Sequence, residues 1–550
     1  MRRLIVDASN LGLNGASTRI RLTQPVNITR ELRLNSGTLD LTNETGGFLV
    51  TNALTLLSTA TSTASVNTND QLSQGTGLVS GGPVSVQRFV DLNVNESAVS
   101  GYRHLSAPVA GATVAMLATS GFAPNVVGGS DYNTSATPGT TSSFPNVFFY
   151  DERKQTNVND LPIFAKGWQA PTAPDEALAA ARGYTVQMPG QQTITFSGAP
   201  RLAPVSVALT RQSPTAAAGW NLVGNPFAAG FNLVSLAGTA NVDDAKYVFE
   251  STGPFTGAYR VFLPALPSSG NPIVALGQGF FTRVSTGATA ATLTMNVTKT
   301  VVDDNTPFRR DAAETRPLVA LTLRNAAGTL GDLTTVYADA QATTGFDPRF
   351  DAYKLANPSG LNLSQQSADA RLAIQGLPAL TAAPVVPLNV QVPAAGTYRL
   401  QVARLLNLPA GTTATLVDNV TGARLNLAEL PAAGHSFTTT GAEVLNTRFV
   451  LHFGGNGPLA STSALLAGGL RLSPNPAHGR ATVELPAVAG AARATLTLRD
   501  ALGRTVRTHT AALPAAGLRH ELDLSRLAPG VYLLQVQAGA AQTTRRLLVD

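Results

Sequence analysis

The feature that most constrains this chain is an alternation of apolar and polar residues at period two, cut every few residues by glycine, proline or asparagine. Residues 18–23 read TRIRLT and residues 31–42 read ELRLNSGTLDLT. Successive side chains of a strand point to opposite faces, so this period describes short, half-buried strands; an amphipathic helix would repeat near 3.6. Composition agrees. Apolar residues make up 44%, enough to exclude a wholly disordered chain, while charged residues are 13%, about half the usual share. The expected fold class is all-β and multi-domain. No run of 18 apolar residues occurs, so no transmembrane segment is expected.

Cysteine is absent, which excludes a disulfide framework, thiolate metal sites and a cysteine nucleophile. The N-terminus, MRRLIVDASNLGLNG, has two arginines but no apolar run after them. It is not a secretory signal peptide, and Met1 is expected to lie inside a longer natural reading frame. The formal charge of +6 is uneven, because residues 471–550 hold ten arginines against five acids (Glu484, Asp500, Glu521, Asp523, Asp550). Such a basic end can steer toward an acidic partner. It lacks interleaved aromatics, so nucleic acid is not expected as that partner.

Five segments follow from the strand and turn pattern. Residues 1–83 read either as rungs of a β-solenoid, such as a right-handed β-helix, or as an edge hairpin of the next domain. Leu32, Leu34, Leu39 and Leu41 alternate around Ser36 and Gly37. A few rungs cannot close a core alone. Residues 84–298 form a β-rich module in which strands with aromatics alternate with turns, and only residues 175–182 suggest a helical turn. Residues 315–455 fit seven or eight strands of a sandwich or jelly roll. Residues 456–469 read as a linker. Residues 470–550 are expected to form a small immunoglobulin-like sandwich. There Pro474 and Pro476 remove donors and give an extended entry, Asp500 to Gly503 makes a hairpin turn, and Pro529–Gly530 makes another.

Chemistry is sparse. No G-x-S-x-G, H-E-x-x-H, P-loop or G-x-G-x-x-G occurs. The six histidines (His104, His435, His452, His478, His509, His520) show no ligand spacing, and His452 reads as a strand residue. Asp347 and Asp351 flank Arg349; they suit a turn, with calcium as the cofactor their oxygen chemistry would take. Asp243 and Asp244, and Asp303 to Asn305, read as solvated turns. Asp151 and Glu152, beside Tyr150, point to opposite faces if they lie on a strand, which argues against a glycosidase pair. Tyr150, Trp168, Tyr184 and Trp220 read as core anchors, with sugar stacking as the alternative.

Two resemblances bear on function. The order YRHLSAPV (102–109), GWNLVGNP (219–226) and GQGFF (277–281) resembles a module of secreted Bacteroidota proteins. The terminal segment carries LSPNPAHG (472–479), DALGR (500–504), LDLSRLAPGVYLLQV (522–536) and RRLLV (545–549). It resembles the type A C-terminal sorting domain of the type IX (Por) secretion system. The resemblance implies a secreted or outer-surface location and the type IX translocon as partner. It also implies cleavage in or near 456–469, with the body then released or attached to surface lipopolysaccharide. The sorting-signal residues it points to are Pro474, Asn475, Pro476, Gly479, Asp500, Gly503, Arg504, Pro529, Gly530, Tyr532, Arg545 and Arg546, the last two as the receptor contact. The body is expected to be a non-enzymatic, structural or adhesin-like protein. Its alternatives are a carbohydrate-binding surface protein, or the C-terminal part of a secreted enzyme whose catalytic domain precedes Met1.

Overall fold

The structure, a computed structural model, describes residues 1–6, 19–34, 38–45, 48–51, 53–67, 78–91, 100–301, 314–367, 370–381, 383–454, 470–488, 491–500, 503–514, 517–539 and 541–550. They divide into two compact units, Met1–Phe453 and Gly454–Asp550. The expected linker at 456–469 and the acidic run at 303–305 lie outside the described residues.

The alternating leucines near the start form parallel rungs. Arg3–Val6, Glu31–Leu34 and Ser65–Asn67 pair in parallel. So do Arg19–Arg21, Thr38–Asp40 and Leu78–Ser80, and Val26–Ile28, Leu54–Leu56 and Val84–Val90. The chain therefore passes three times along the same three sheets, as a solenoid of three coils. Each coil seats its apolar residues on the last: Val6 on Leu34, Leu32 on Val66, Leu56 on Val86, all buried. Glu31 is also buried here. Burial alone would raise its pKa, but a hydrogen bond from Asn67 (2.6 Å), one from Arg33 and the charge of Arg3 hold it below the usual carboxylate range.

The third coil does not end in solvent. Val84–Val90 pairs on its far side with Gln192–Gly198, antiparallel along seven residues. One buried cluster accordingly runs from Val6 to Leu276. Beyond it lie two four-stranded sheets. One orders Gly101–Leu105, Tyr184–Met188, Val147–Tyr150 and Trp168–Gln169; the other orders Trp220–Gly224, Gly279–Arg283, Lys246–Ser251 and Gly257–Phe262. The three motifs of this region meet where the sheets touch. A Cβ on Gly224 would stand 2.3 Å from that of Ser106, and one on Gly279 would stand 3.0 Å from that of His104. Asn225, fully buried, donates to Ala229 O and Ala275 O and accepts from Phe227 N, stitching the GNP loop to the segment that leads into GQGFF.

No helix forms at 175–182. Residues 176–178 run against 112–114, with Leu178 N–H bonding Ala112 O and Val114 N–H bonding Glu176 O, and a single turn follows, closed by Arg182 N–H on Ala179 O. Tertiary backbone bonds override their alanine-rich propensity. The six-residue helix Gly129–Thr134 was not foreseen; its sequence, GSDYNT, holds no strong helix former.

From Leu318 to Gly454 the described strands join in one eleven-stranded sheet. Its order is Ala423–Asn426, Thr413–Asp418, Glu443–Gly454, Val385–Val392, Asn362–Gln366, Arg371–Leu377, Gly331–Ala338, Leu318–Asn325, Gly396–Leu406 and His435–Thr439, with Ala352–Tyr353 beside Arg371–Leu377. Side chains bridge between its two ends. Buried Asp418, near one end, accepts from Arg448 at 3.0 Å through both oxygens and pairs with His435, on the strand at the other end, at 3.1 Å.

The second unit has seven strands in two sheets. Arg471–Ser473, Arg480–Leu485 and Leu518–Asp523 form one; Thr505–Ala512, Arg493–Arg499, Gly530–Ala538 and Ala541–Val549 form the other. Their inward residues, from Leu470 to Val549, make a core of their own.

Candidate functional site: an aromatic pocket and a clasped terminal strand

Alternation along four paired strands places five side chains on one floor. Tyr102 and His104 come from Gly101–Leu105, Thr185 from its neighbour, Phe148 from the next, and Trp168 from the last. His104 and Phe148 both lie in register with Thr185. Phe249 and Tyr259 from the second sheet, Phe255 on the turn between them, Tyr132, Phe144 and Pro358 complete the walls. The pocket, open to solvent on one side, measures 290 Å³.

The rings stand at angles to one another. Tyr102 meets Phe148 at 55° and Phe255 at 56°, and Tyr132 meets Phe148 at 60° and Phe144 at 87°. His104 stacks on Phe249 at 5.2 Å and lies 3.4 Å from the Tyr259 hydroxyl through Nε2. Its Nδ1 has no hydrogen-bond partner, and neither does the hydroxyl of Thr185; both side chains are more than nine-tenths buried. Burial, and then the nearby Arg103 charge, lower His104 to about 3, so the imidazole is neutral at any ordinary pH. Burial raises the phenols of Tyr102 and Tyr132 to about 12.

Of the four aromatics singled out in the sequence, Tyr150, Tyr184 and Trp220 are buried in the core and Trp168 is half-buried on the pocket floor. Tyr102 and His104 lie in the YRHLSAPV motif, but nothing local in the sequence joined them to the other pocket residues, which come from segments as far along the chain as Pro358. Asp151 and Glu152 diverge. Asp151 bonds Arg153 at the surface, whereas buried Glu152 accepts from Gln212 N and Ser213 N. Asp243 and Asp244 are not solvated turns but buried: Asp243 pairs with Arg283 at 3.1 Å, and Asp244 accepts from Gly238 N. Buried Lys246 sits between their backbone carbonyls, and the buried cations make the site tenable for carboxylates. Both oxygens of Asp351 accept backbone N–H groups, from Asp347 and Gly376 at 2.7 Å, and Asp347 accepts from Thr343 N. Among the described residues no three His, Asp or Glu side chains are placed to share a metal. His509 and His520, which show no ligand spacing in the sequence, stack at 3.9 Å.

In the second unit most of the sorting-signal residues gather at two places. Asn475, between two cis prolyl bonds at Pro474 and Pro476, donates to Arg546 O and accepts from Leu548 N, each at 2.8 Å. Ala477 N–H then bonds Leu548 O. The SPNPA stretch thereby clasps the outer side of the terminal strand, on which Arg545 and Arg546 are exposed. At the other place, Asp500 O accepts from Gly503 N, and the Asp500 carboxylate binds Arg504 through its backbone and side chain. Gly503, at φ +80°, closes that turn, and Gly479, at φ +72°, follows the clasp. Pro529 and Gly530 lead into the strand bearing Tyr532, whose hydroxyl bonds Ala528 O at 2.9 Å.

A family model described as Domain of unknown function (DUF8693) matches residues 17–453, and one described as secretion system C-terminal sorting domain matches residues 471–550. No curated protein matches. Among solved structures the chain is similar to dimeric latent PorU from Porphyromonas gingivalis, at 13% identity over 65% of this chain and TM-score 0.15; it spans 35% of that chain. It is also similar to the BSP domain of a biofilm associated protein, at 7% identity over 63% of this chain and 81% of that one, with TM-score 0.14. The chain therefore belongs to the family described as Domain of unknown function (DUF8693) and ends in a type IX secretion sorting domain of the Bacteroidota.

Proposed function

We propose that this protein is a non-catalytic, adhesin-like surface module whose terminal unit serves as its export signal. The sorting domain makes it a secreted or outer-surface protein that engages the type IX machinery. The observation that carries the reading is the separation of cores. Every buried residue of the cluster from Leu470 to Val549 belongs to the terminal unit, so cargo and signal each close their own interior. The body supports the structural half of the reading, because parallel coils run without a break into antiparallel sheets through Val84–Val90. Surface lipopolysaccharide and extracellular polysaccharide are its proposed contacts.

The test uses a type IX-competent host with a signal peptide supplied upstream. The full chain is expected in the medium or on intact cells, and a chain lacking residues 470–550 is expected to stay in the periplasm. Export of the truncated chain at full level would end the signal reading. Unchanged attachment of cells to polysaccharide-coated surfaces, with and without the protein, would end the adhesive one.

A further inference from the structure

We propose that the pocket walled by Tyr102, Tyr132, Phe144, Phe148 and Phe255 is a binding site for a quaternary ammonium group, whose tether leaves through the open side. This goes beyond the export and adhesive readings and depends on neither.

Shape comes first. At 290 Å³ the pocket lies at the small end of ligand sites and suits a compact head group rather than an extended chain. Eight of its eleven lining residues are Phe, Tyr or Trp. Their rings form a box, not a slot. Tyr102 is inclined by 55° to Phe148 and by 56° to Phe255, and Tyr132 by 60° to Phe148 and by 87° to Phe144, at centroid distances of 5.0–6.5 Å. A flat ring stacks on one or two such walls. A tetrahedral trimethylammonium presents a methyl group to each of them, and within about 6 Å of a ring centroid its charge is attracted by the ring quadrupole.

Polarity narrows the choice. The lining holds no Asp, Glu, Lys or Arg. Burial raises the phenols of Tyr102 and Tyr132 to about 12, so both stay neutral at ordinary pH. His104 Nδ1 and Thr185 Oγ1 are buried out of reach of solvent, so neither serves a ligand. A primary ammonium brings three N–H donors, and the lining has no carboxylate to meet them; donors left unpaired in such a site cost free energy. A quaternary ammonium carries its charge with no N–H and asks for no acceptor. Arg103, next to His104 in the chain, alternates onto the opposite face of the strand, where its guanidinium donates to Asp91 O.

The test is fluorescence titration of the full chain. Trp168 lines the pocket, and the other tryptophan, Trp220, is buried in the core, so the signal reads occupancy. Choline is the probe. Its neutral isostere, dimethylbutanol, has the shape without the charge, and ethanolamine has the charge with N–H donors. Choline is expected to give a saturable change, with each comparison at least roughly tenfold weaker. Phe255 is 66% exposed and Phe144 39%, so Phe255→Leu and Phe144→Leu each remove a ring face without opening the core. Each is expected to weaken choline roughly three- to tenfold and to leave the neutral isostere within about twofold. Phosphocholine and Nε-trimethyl-lysine distinguish sources: tighter binding of the first identifies a phosphate-borne head group, and of the second a methylated side chain. The proposal is overturned by no saturable change with choline, by either comparison binding as tightly, or by both variants binding choline like the parent.

Discussion

Asp418 links strands at opposite ends of the eleven-stranded sheet. Its side chain is inaccessible, and four donors converge on it: two nitrogens of Arg448, the His435 ring and Val420 N–H. Burial alone would raise its pKa, but these bonds bring it down to about 2. A carboxyl with a folded pKa near 2 and an unfolded pKa near 4 stabilises the fold above pH 4, and that stabilisation is lost as pH falls from about 4 to 2. It amounts to roughly 2 kcal/mol at neutral pH. Urea midpoints measured between pH 2 and 7 are expected to fall across that window for the parent. Asp418→Asn is expected to start lower by about 2–4 kcal/mol at pH 7, since Arg448 keeps a half-paired charge, and to show a flatter profile. None of this was legible in sequence, where Asp418, His435 and Arg448 share no local pattern. Asn475 differs. Its place in SPNPA marked it at once, yet its partners lie 71 and 73 residues away. Asn475→Ala is expected to cost the terminal unit about 1–2 kcal/mol and to speed amide exchange at Leu548, read by mass spectrometry.

Elements were legible as strands wherever period two was clean, because one face must be buried and the other wet. Their partners were not. The ELRLNSGTLDLT run has the same alternation in a hairpin and in a coil, and only neighbours from 19 to 40 residues away make it a coil. A short device recurs at two strand entries. In both GTYRL and GVYLL a tyrosine hydroxyl returns to a carbonyl four residues earlier, Tyr398 to Ala394 and Tyr532 to Ala528, each at 2.9 Å. The bond holds the turn against the strand it feeds, as tyrosine corners do in immunoglobulin-like folds. Tyr398→Phe and Tyr532→Phe keep the ring and lose the bond, so each is expected to lower stability by about 1 kcal/mol. Each loss belongs to its own unit: Tyr532→Phe should leave the unfolding of the body unaltered, and Tyr398→Phe that of the terminal unit.

At the scale of the molecule, the terminal unit was readable from sequence and the body was not. The terminal motifs are local and ordered along roughly eighty residues, whereas the body's identity lies in pairings that cross hundreds of positions. The same division predicts how the protein melts. A unit of that size is expected to unfold with an enthalpy of about 50–60 kcal/mol, well below that of the 453-residue body. The calorimetric trace of the full chain should therefore contain a small transition that disappears when residues 470–550 are deleted. The remaining transition should keep its midpoint within about 2 °C, because no buried residue of the terminal core belongs to the body. A shift of many degrees would mean that the signal supports the fold of its cargo. In that case, loss of export on deletion would report unfolding, not loss of a signal.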